Sequence, residues 1–370
     1  MHAGTHTHNN AGSVPAIVYT GCDGLPLESP MEAVSAAAGS AAGAQAQGKR
    51  REVTVGGKRV KVIDVHAHCM IPEALALQGK TPHEERGPGI GEVGARRLKE
   101  MDAAGIDVEA LSINPHWYRE DKDKAVEIVR INNERLAEYC GTYPDRIVAF
   151  ASVTLQFPDL AVQQLERAVK KQGLRGVAVG ASCAGVDFSD SKFHPFWAKC
   201  QELGILVFIH PQSTPELHKR LAGNGWLANT IGNPLDTTIC LSKLIFEGTL
   251  DKFPNLKLCS AHGGGYLPSY APRSDNACRV GPDQCNPAIK LKKKPTEYLR
   301  DMYFDTLVFT SEGLRHLAHE VGTSQLVVGT DHPIPWHQNP VDHIMNTPGF
   351  TDEERMDMLG RTAAKLLKIE

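Results

Sequence analysis

The chain has 370 residues, of which 41% are hydrophobic and 22% charged, and this composition excludes a disordered protein. Its formal net charge of −3 excludes the basic surfaces that bind nucleic acid or anionic membranes, and no apolar run reaches the ~20 residues of a membrane-spanning helix. The nine cysteines are scattered and include no CxxC pair, so we expect no disulfide framework and a cytoplasmic, reducing location.

Residues 1–52 differ in composition from the rest of the chain. Ala33–Gln47 consists almost entirely of Ala, Gly, Ser and Gln. Such side chains bury too little apolar area to offset the entropy of ordering the backbone. We therefore predict a flexible N-terminal arm over residues 1–52, followed by one catalytic domain over residues 53–370.

From Val53 onwards, short apolar runs alternate with amphipathic segments. The apolar runs are Val62–Val65, Val108–Ile113, Ile147–Val153, Gly176–Gly180, Ile205–Ile209, Leu256–Ser260, Met302–Val308 and Leu326–Gly329. The amphipathic segments are Ala95–Ala104, Asp123–Tyr139, Leu160–Gln172, Pro195–Leu203, Leu235–Lys252 and Ser311–Glu320. Runs dense in Val, Ile and Leu are typical of strands buried on both faces of a parallel sheet, and amphipathic segments are typical of helices that cover it.

Eight such runs predict an α/β fold of the (β/α)₈ or TIM-barrel class. The alternative is an open doubly wound sheet, which is disfavoured because no glycine-rich phosphate loop follows the first strand. Two long irregular segments, Gln212–Asn233 and Tyr266–Pro295, interrupt the alternation. Because long loops commonly carry function, we expect both to be insertions at the C-terminal face of the barrel, where active sites lie.

Polar residues stand at the predicted ends of four strands. His66 and His68 end the first strand and, because side chains alternate along a strand, point to the same side. His210 ends the fifth strand, His262 ends the sixth and precedes three glycines that let the backbone approach a ligand, and Asp331 ends the eighth. Each residue alone is more often a core or turn residue than a ligand. Their convergence at one face of a barrel predicts a metal site.

These motifs resemble those of the amidohydrolase superfamily. They are His66-Ala67-His68, His210-Pro211, His262-Gly263-Gly264-Gly265 and Gly329-Thr330-Asp331. Within the superfamily the chain resembles the branch of α-amino-β-carboxymuconate-ε-semialdehyde decarboxylase, from about Val62 to the C-terminus. Further matching segments are residues 97–102, 232–234, 253–257 and 273–277.

The resemblance implies that His66, His68, His210 and Asp331 bind a metal ion. It also implies that His262 is the general acid or base. Three imidazoles and one carboxylate suit Zn²⁺ and leave one coordination position open, while Mn²⁺ and Fe²⁺ are alternatives. A second ion would need a bridging lysine from the fourth strand, and no lysine ends that strand. We therefore expect one divalent ion.

Two arginines extend the resemblance. Arg273 matches an arginine that binds a substrate carboxylate across a subunit interface, so we expect a homodimer in which Arg273 reaches the neighbouring site. Arg86 matches a second such arginine only after a shift of one residue, and an ordinary loop arginine is the equal alternative. The guanidinium group suits this role because its planar fork matches a carboxylate.

Two departures from the family pattern fall beside the metal ligands. Gln212 stands where the family has a tryptophan, and Ile334 stands where it has a phenylalanine. We expect that polar and aliphatic side chains have replaced the aromatic walls of the pocket. The substrate is therefore expected to differ from that of the family's namesake.

Residues and resemblance together predict a metal-dependent, non-oxidative decarboxylase of a small aromatic or muconate-like carboxylic acid, in the degradation of an aromatic compound. In this interpretation the metal polarises the substrate while His262 and Asp331 move protons. Arg273 and Arg86 hold a carboxylate. The alternative is a hydrolase or hydratase that uses the same mononuclear site on a lactone or a ring-cleavage product. A binding protein on an inactive barrel would have lost a ligand or His262, and none is lost.

Overall fold

The structure is a computed structural model that describes residues 50–80, 91–212, 215–336 and 339–370. Most of the predicted N-terminal arm, and Arg86, therefore lie outside the described residues. The described part begins with a short antiparallel hairpin of Thr54–Val55 and Lys58–Arg59. A second hairpin joins Ser182–Cys183 to Val186–Asp187.

Eight parallel strands form a barrel. They are Ile63–His68 (β1), Val108–Ser112 (β2), Ile147–Ala151 (β3), Gly176–Val179 (β4), Leu206–Ile209 (β5), Lys257–Ser260 (β6), Tyr303–Asp305 (β7) and Leu326–Val327 (β8). Each strand pairs in parallel with the next one along the chain, and a bridge between Asp64 and Val328 joins β8 to β1. The predicted (β/α)₈ fold is confirmed, and the open doubly wound alternative is wrong.

Helices surround the strands. They are Pro72–Leu77, Ala95–Ala104, Lys122–Thr142, Pro158–Lys171, His194–Leu203, His218–Leu221, Asn233–Phe246, Thr249–Lys252, Leu267–Ser274, Ala277–Val280, Pro295–Leu299, Ser311–Val321, Pro340–Asn346, Asp352–Met356 and Thr362–Leu367. The predicted helix Ala95–Ala104 is confirmed with both of its bounds. It ends before Gly105, which adopts a left-handed φ of 80°. The predicted helix Leu235–Lys252 is divided in two by Gly248, which adopts φ 72°. None of the described helices is both long and apolar enough to cross a membrane.

The apolar interior of the barrel supports the strand ends. Phe150 on β3 and Phe208 on β5 stack with ring centroids 5.6 Å apart, and the ring of Phe208 lies 5.1 Å from that of His66. Gly176 on β4 permits this packing, because a Cβ atom there would lie 2.8 Å from the ring of Phe150. A larger apolar layer fills the space between strands and helices. The residues at the strand ends are therefore held on a rigid base.

One pair of cysteines departs from the sequence prediction. Cys278 and Cys285 form a disulfide with an S–S distance of 2.08 Å. The helix Ala277–Val280 and the turn Pro282–Gln284 bring their Cα atoms to 5.6 Å, which lies within the range that a disulfide requires. This proximity comes from local backbone geometry, and no sequence motif predicts it. The other six described cysteines are free thiols.

Candidate metal centre

Four side chains converge where β1, β5 and β8 end. His66 and His68 lie on β1, with their Nε2 atoms 3.1 Å apart. The Oδ1 atom of Asp331 lies 3.1 Å from each of these Nε2 atoms and 4.0 Å from Nε2 of His210. All four side chains are buried. The alternation predicted for β1 thus delivers both imidazoles to one point, which His210 and Asp331 reach from β5 and β8.

His262, which follows β6, completes the cluster from the other side of Asp331. Its Nε2 lies 3.7 Å from Oδ2 of Asp331, and its ring centroid lies 5.1 Å from that of His66. One donor atom from each of His66, His210, His262 and Asp331 lies within 4.8 Å of the others. The side chain of His262 is 14% exposed, more than any other member of the cluster. Oδ1 of Asp331 therefore faces the three other imidazoles, whereas Oδ2 faces His262.

The backbone at His262 and Asp331 is left-handed, with φ values of 55° and 59°. Non-glycine residues adopt this conformation at a cost of about 1–3 kcal/mol, mainly where the surrounding structure enforces it. The carboxylate of Asp305 accepts hydrogen bonds from the N–H groups of His262 (2.9 Å) and Gly263 (2.8 Å). The N–H of Asp331 donates to the carbonyl oxygen of His66 at 2.8 Å. These bonds aim both side chains at the shared point.

The three glycines after His262 allow close packing within the protein itself. A Cβ atom at Gly265 would lie 2.1 Å from the carbonyl oxygen of Pro234, and one at Gly264 would lie 2.7 Å from the ring of Phe304. The prediction assigned these glycines to the approach of a ligand. The structure gives a different reason, which is the tight seating of the loop against a helix and β7.

Two residues outside the predicted set orient the imidazoles. Nδ1 of His66 lies 2.6 Å from Oδ2 of the buried Asp305, at the end of β7. Nδ1 of His68 lies 2.9 Å from Oγ of Ser112, at the end of β2. Metal-binding histidines commonly hold such a polar partner on the nitrogen that does not bind the metal. The signal that could have identified Asp305 is an acidic residue inside the seventh apolar run.

Buried charges of both signs meet in this cluster. Burial lowers the pKa of His66, but the carboxylates of Asp331 and Asp305 outweigh burial and raise it to about 10. Burial acts against the charged form of Asp331, yet the neighbouring histidines, chiefly His66, hold the pKa of its carboxyl well below the usual range. Burial and the adjacent imidazoles of His68 and His66 lower the pKa of His210. A bound cation would therefore displace a proton from this set of groups.

The donor set fits one divalent ion. Imidazole nitrogens and a carboxylate oxygen are ligands of Zn²⁺, Mn²⁺ and Fe²⁺. Buried imidazole and carboxylate groups are costly in an apolar interior unless they are paired or coordinate a metal. Among the described residues this is the one group of three or more His, Cys, Asp or Glu donors that is close enough to hold an ion. The described residues thus provide one site for a divalent metal ion, as predicted.

A buried ion pair fixes the end of β1 from outside the barrel. Arg97, in the helix Ala95–Ala104, is buried, and its Nε lies 2.5 Å from Oε2 of Glu109 on β2. Its Nη1 donates to the carbonyl oxygen of His68 at 2.7 Å. The pair therefore holds the backbone of a residue whose imidazole belongs to the metal site.

Arg273 does not lie in the metal cluster. Arg273 is exposed on the helix Leu267–Ser274 and lines a surface cavity of 820 Å³ beside the Cys278–Cys285 disulfide. Arg86 lies outside the described residues. The role of Arg273 at a neighbouring subunit stays a prediction.

Three aromatic side chains, here named the aromatic cluster, stand on the Oδ2 side of Asp331. The indole Nε1 of Trp336 donates to Oδ2 at 3.0 Å. The ring of Trp336 stacks on that of Trp226 with centroids 6.1 Å apart and meets the edge of Phe309 at 5.2 Å. The expected replacement of aromatic residues concerns positions 212 and 334, and these three aromatic rings come from other loop positions.

Several decarboxylases are similar to this chain in sequence or in structure. The chain is 28% identical to the 2-amino-3-carboxymuconate-6-semialdehyde decarboxylase of Dictyostelium discoideum over 317 residues, which cover 83% of this chain and 85% of that protein. It is 29% identical to the gamma-resorcylate decarboxylase of Rhizobium radiobacter over 324 residues, which cover 82% and 97%. A solved dihydroxybenzoic acid decarboxylase from Polaromonas sp. JS666, with bound manganese and the inhibitor 2-nitroresorcinol, superposes with a TM-score of 0.74 and 27% identity over 84% of this chain and 97% of that one.

A family model matches the same part of the chain. The model, described as amidohydrolase, covers residues 63–369. This span contains all eight barrel strands and all five members of the metal cluster. The match exceeds half of the chain, so the resemblance seen in the sequence is confirmed and the protein belongs to the amidohydrolase family.

Proposed function

We propose that this protein is a metal-dependent, non-oxidative decarboxylase of a small aromatic or muconate-like carboxylic acid, acting in the breakdown of an aromatic compound. The observation that carries the proposal is the division of the Asp331 carboxylate between three buried imidazoles and the more exposed His262. That arrangement provides a metal site on one side and a proton donor on the other. The similar proteins named above are decarboxylases, which favours loss of carbon dioxide over hydrolysis or hydration.

In this proposal His66, His68, His210 and Asp331 hold the metal ion. Zn²⁺ is the ion that we expect for three imidazoles and a carboxylate. The manganese in the Polaromonas structure supports Mn²⁺ as the first alternative, ahead of Fe²⁺. When bound, the ion supplies Lewis acidity that polarises the substrate.

His262 supplies the proton in the proposed reaction. Its Nε2 carries the proton that the substrate carbon receives as the carboxylate leaves as carbon dioxide. Oδ2 of Asp331, 3.7 Å away, stabilises the protonated imidazole before transfer. Because its side chain is 14% exposed, His262 can regain a proton from water after each turnover.

Arg273 is proposed to bind a substrate carboxylate in the neighbouring subunit of a homodimer. Its exposure on the helix Leu267–Ser274 supports this role, since the guanidinium is free to face a second molecule. A planar fork of donors binds a carboxylate through two hydrogen bonds. Arg86 is proposed as a second carboxylate ligand, and a cytoplasmic location stays part of the proposal.

The proposal is tested by product analysis. Purified protein loaded with Zn²⁺ or Mn²⁺ is incubated with hydroxybenzoates and muconate-like acids, and headspace carbon dioxide and the remaining organic product are measured. We expect equal amounts of carbon dioxide and of the product that lacks one carboxylate. Conversion of a lactone or ring-cleavage product without carbon dioxide would instead support the hydrolase or hydratase alternative.

A further inference from the structure

The aromatic cluster touches the metal site directly. Trp336 donates its indole N–H to Oδ2 of Asp331, the same oxygen that Nε2 of His262 faces at 3.7 Å. The indole N–H of Trp336 and the imidazole of His262 therefore face the same carboxylate oxygen.

The aromatic cluster is also more exposed than the metal site. Asp331 is completely buried, Trp336 and Trp226 are half-buried, and Phe309 is 48% exposed. Exposure thus rises from the carboxylate outward through the three rings.

Trp226 is held in this position by an unusual backbone. Its φ of 50° lies in the left-handed region, which bulky residues rarely adopt unless the surrounding structure requires it. Its Nε1 is buried and has no hydrogen-bond partner among the described residues. The ring of Trp226 therefore lies against that of Trp336. Its Nε1–H can donate a hydrogen bond to an oxygen atom of a ligand.

We infer that Trp336 and Trp226 determine substrate specificity by stacking on a planar aromatic ring, and that they replace the aromatic walls absent at Gln212 and Ile334. This inference rests on the proposed function. Offset or edge-to-face contacts between aromatic rings are favourable beyond the area that they bury, and a saturated ring does not make them. The cluster therefore selects aromatic acids over saturated acids of the same size.

The test compares two acids that differ only in aromaticity. Binding of benzoate and of cyclohexanecarboxylate to the metal-loaded protein is measured by calorimetry for the wild type, Trp336→Leu, Trp226→Leu and Trp336→Phe. We expect each leucine variant to weaken benzoate binding about tenfold and cyclohexanecarboxylate binding less than twofold. Trp336→Phe should keep most of the preference. Equal weakening of both acids, or no weakening, would overturn the inference.

Binding does not depend on turnover, so this result stands apart from the test of decarboxylation. Tryptophan fluorescence supplies a second measurement, and the variant that it uses keeps an aromatic ring at both positions. Of the four tryptophans, Trp117 and Trp197 are buried in the core, so benzoate should quench only Trp226 and Trp336. The double variant Trp226→Phe/Trp336→Phe should lose the quenching while it retains its metal. Undiminished quenching in that variant would contradict the inference.

Discussion

The metal cluster and the aromatic cluster meet at Asp331 but are built in different ways. The metal cluster stands on strand ends, is buried, and is oriented by hydrogen bonds such as that between His66 and Asp305. The aromatic cluster stands on loops, is partly exposed, and is held by ring contacts. Strand ends of a packed barrel give a fixed geometry for chemistry, whereas loops vary without disturbing it. The proposed reaction and the proposed specificity thus rest on different parts of the molecule.

The largest expected effect distinguishes a metal ligand, Asp331, from the proposed proton donor, His262. Asp331→Asn should lose both the metal and turnover, because it removes a charged ligand. His262→Asn should keep the metal and lower kcat by about 10²–10⁴, the usual contribution of a general acid. Metal content by mass spectrometry and carbon dioxide release check both variants. If His262→Asn lost the metal as fully as Asp331→Asn, His262 would be a ligand and the proposed assignment would be wrong.

The buried ion pair behind β1 is expected to matter more than a surface pair. Arg97→Met leaves the carboxylate of Glu109 buried without its partner, which should lower the free energy of unfolding by about 3–5 kcal/mol. Arg96→Met is the matched control, because Arg96 pairs with Glu100 on the exposed face of the same helix and should cost about 0–1 kcal/mol. Urea unfolding measures both. Similar losses in the two variants would contradict a supporting role for the buried pair.

Asp305 is expected to act on metal affinity through His66. Asp305→Asn should weaken metal binding by about 10–100-fold, the usual effect of losing a partner that orients a ligand. Asp301→Asn is the control, since that carboxylate lies on the surface with Lys293. Competition with a chromophoric chelator measures the affinities. Unchanged affinity in Asp305→Asn would show that His66 is held by packing alone.

Asp236, in the helix Asn233–Phe246, gives the stability of the protein a dependence on pH. Burial, followed by the charges of Glu216 and Asp187, raises the pKa of this carboxyl to about 7, although the N–H of Gln212 donates to it at 3.0 Å. Because the folded form then binds a proton that the unfolded form has released, stability should fall as pH rises from about 4 to 7. The loss between pH 5 and pH 7 should be about 2 kcal/mol. Asp236→Asn should flatten this dependence in urea unfolding, and parallel curves for the two proteins would contradict the assignment.

The smallest expected effect concerns Arg273, which lies away from the metal cluster. Arg273→Met should raise KM about tenfold and leave metal content unchanged, since a hydrogen-bonded charge contributes roughly 1.5–3 kcal/mol. Mixing this variant with an inactive His262→Asn variant tests the dimer. If Arg273 reaches the neighbouring site, mixed dimers regain a site with both residues and activity rises. No gain on mixing would contradict a shared site.

The sequence predicted the regions that depend on local pattern. All eight strands begin within one residue of the predicted starts, because dense apolar runs and glycine or proline boundaries are local signals. The sequence predicts the five metal-cluster residues for the same reason, since each lies in a strand or within a few residues of its end. Position at a strand end is enough to place a side chain at the face of a barrel.

Features that depend on contacts distant in the chain could not be predicted. Asp305 meets His66 across 239 positions, and Trp226 meets Trp336 through two separate loops. The glycines after His262 were assigned to a ligand because the sequence does not show that Pro234 fills the space. The disulfide between Cys278 and Cys285 likewise depends on a turn whose geometry the sequence leaves open.

The central claim is that one divalent ion, held by His66, His68, His210 and Asp331, is required for decarboxylation. The most direct measurement follows metal content and carbon dioxide release together, before chelation, after chelation and after the return of Zn²⁺ or Mn²⁺. We predict one ion per chain, loss of carbon dioxide release in proportion to the ion removed, and recovery when it returns. Full carbon dioxide release from protein shown to contain no metal would contradict the claim.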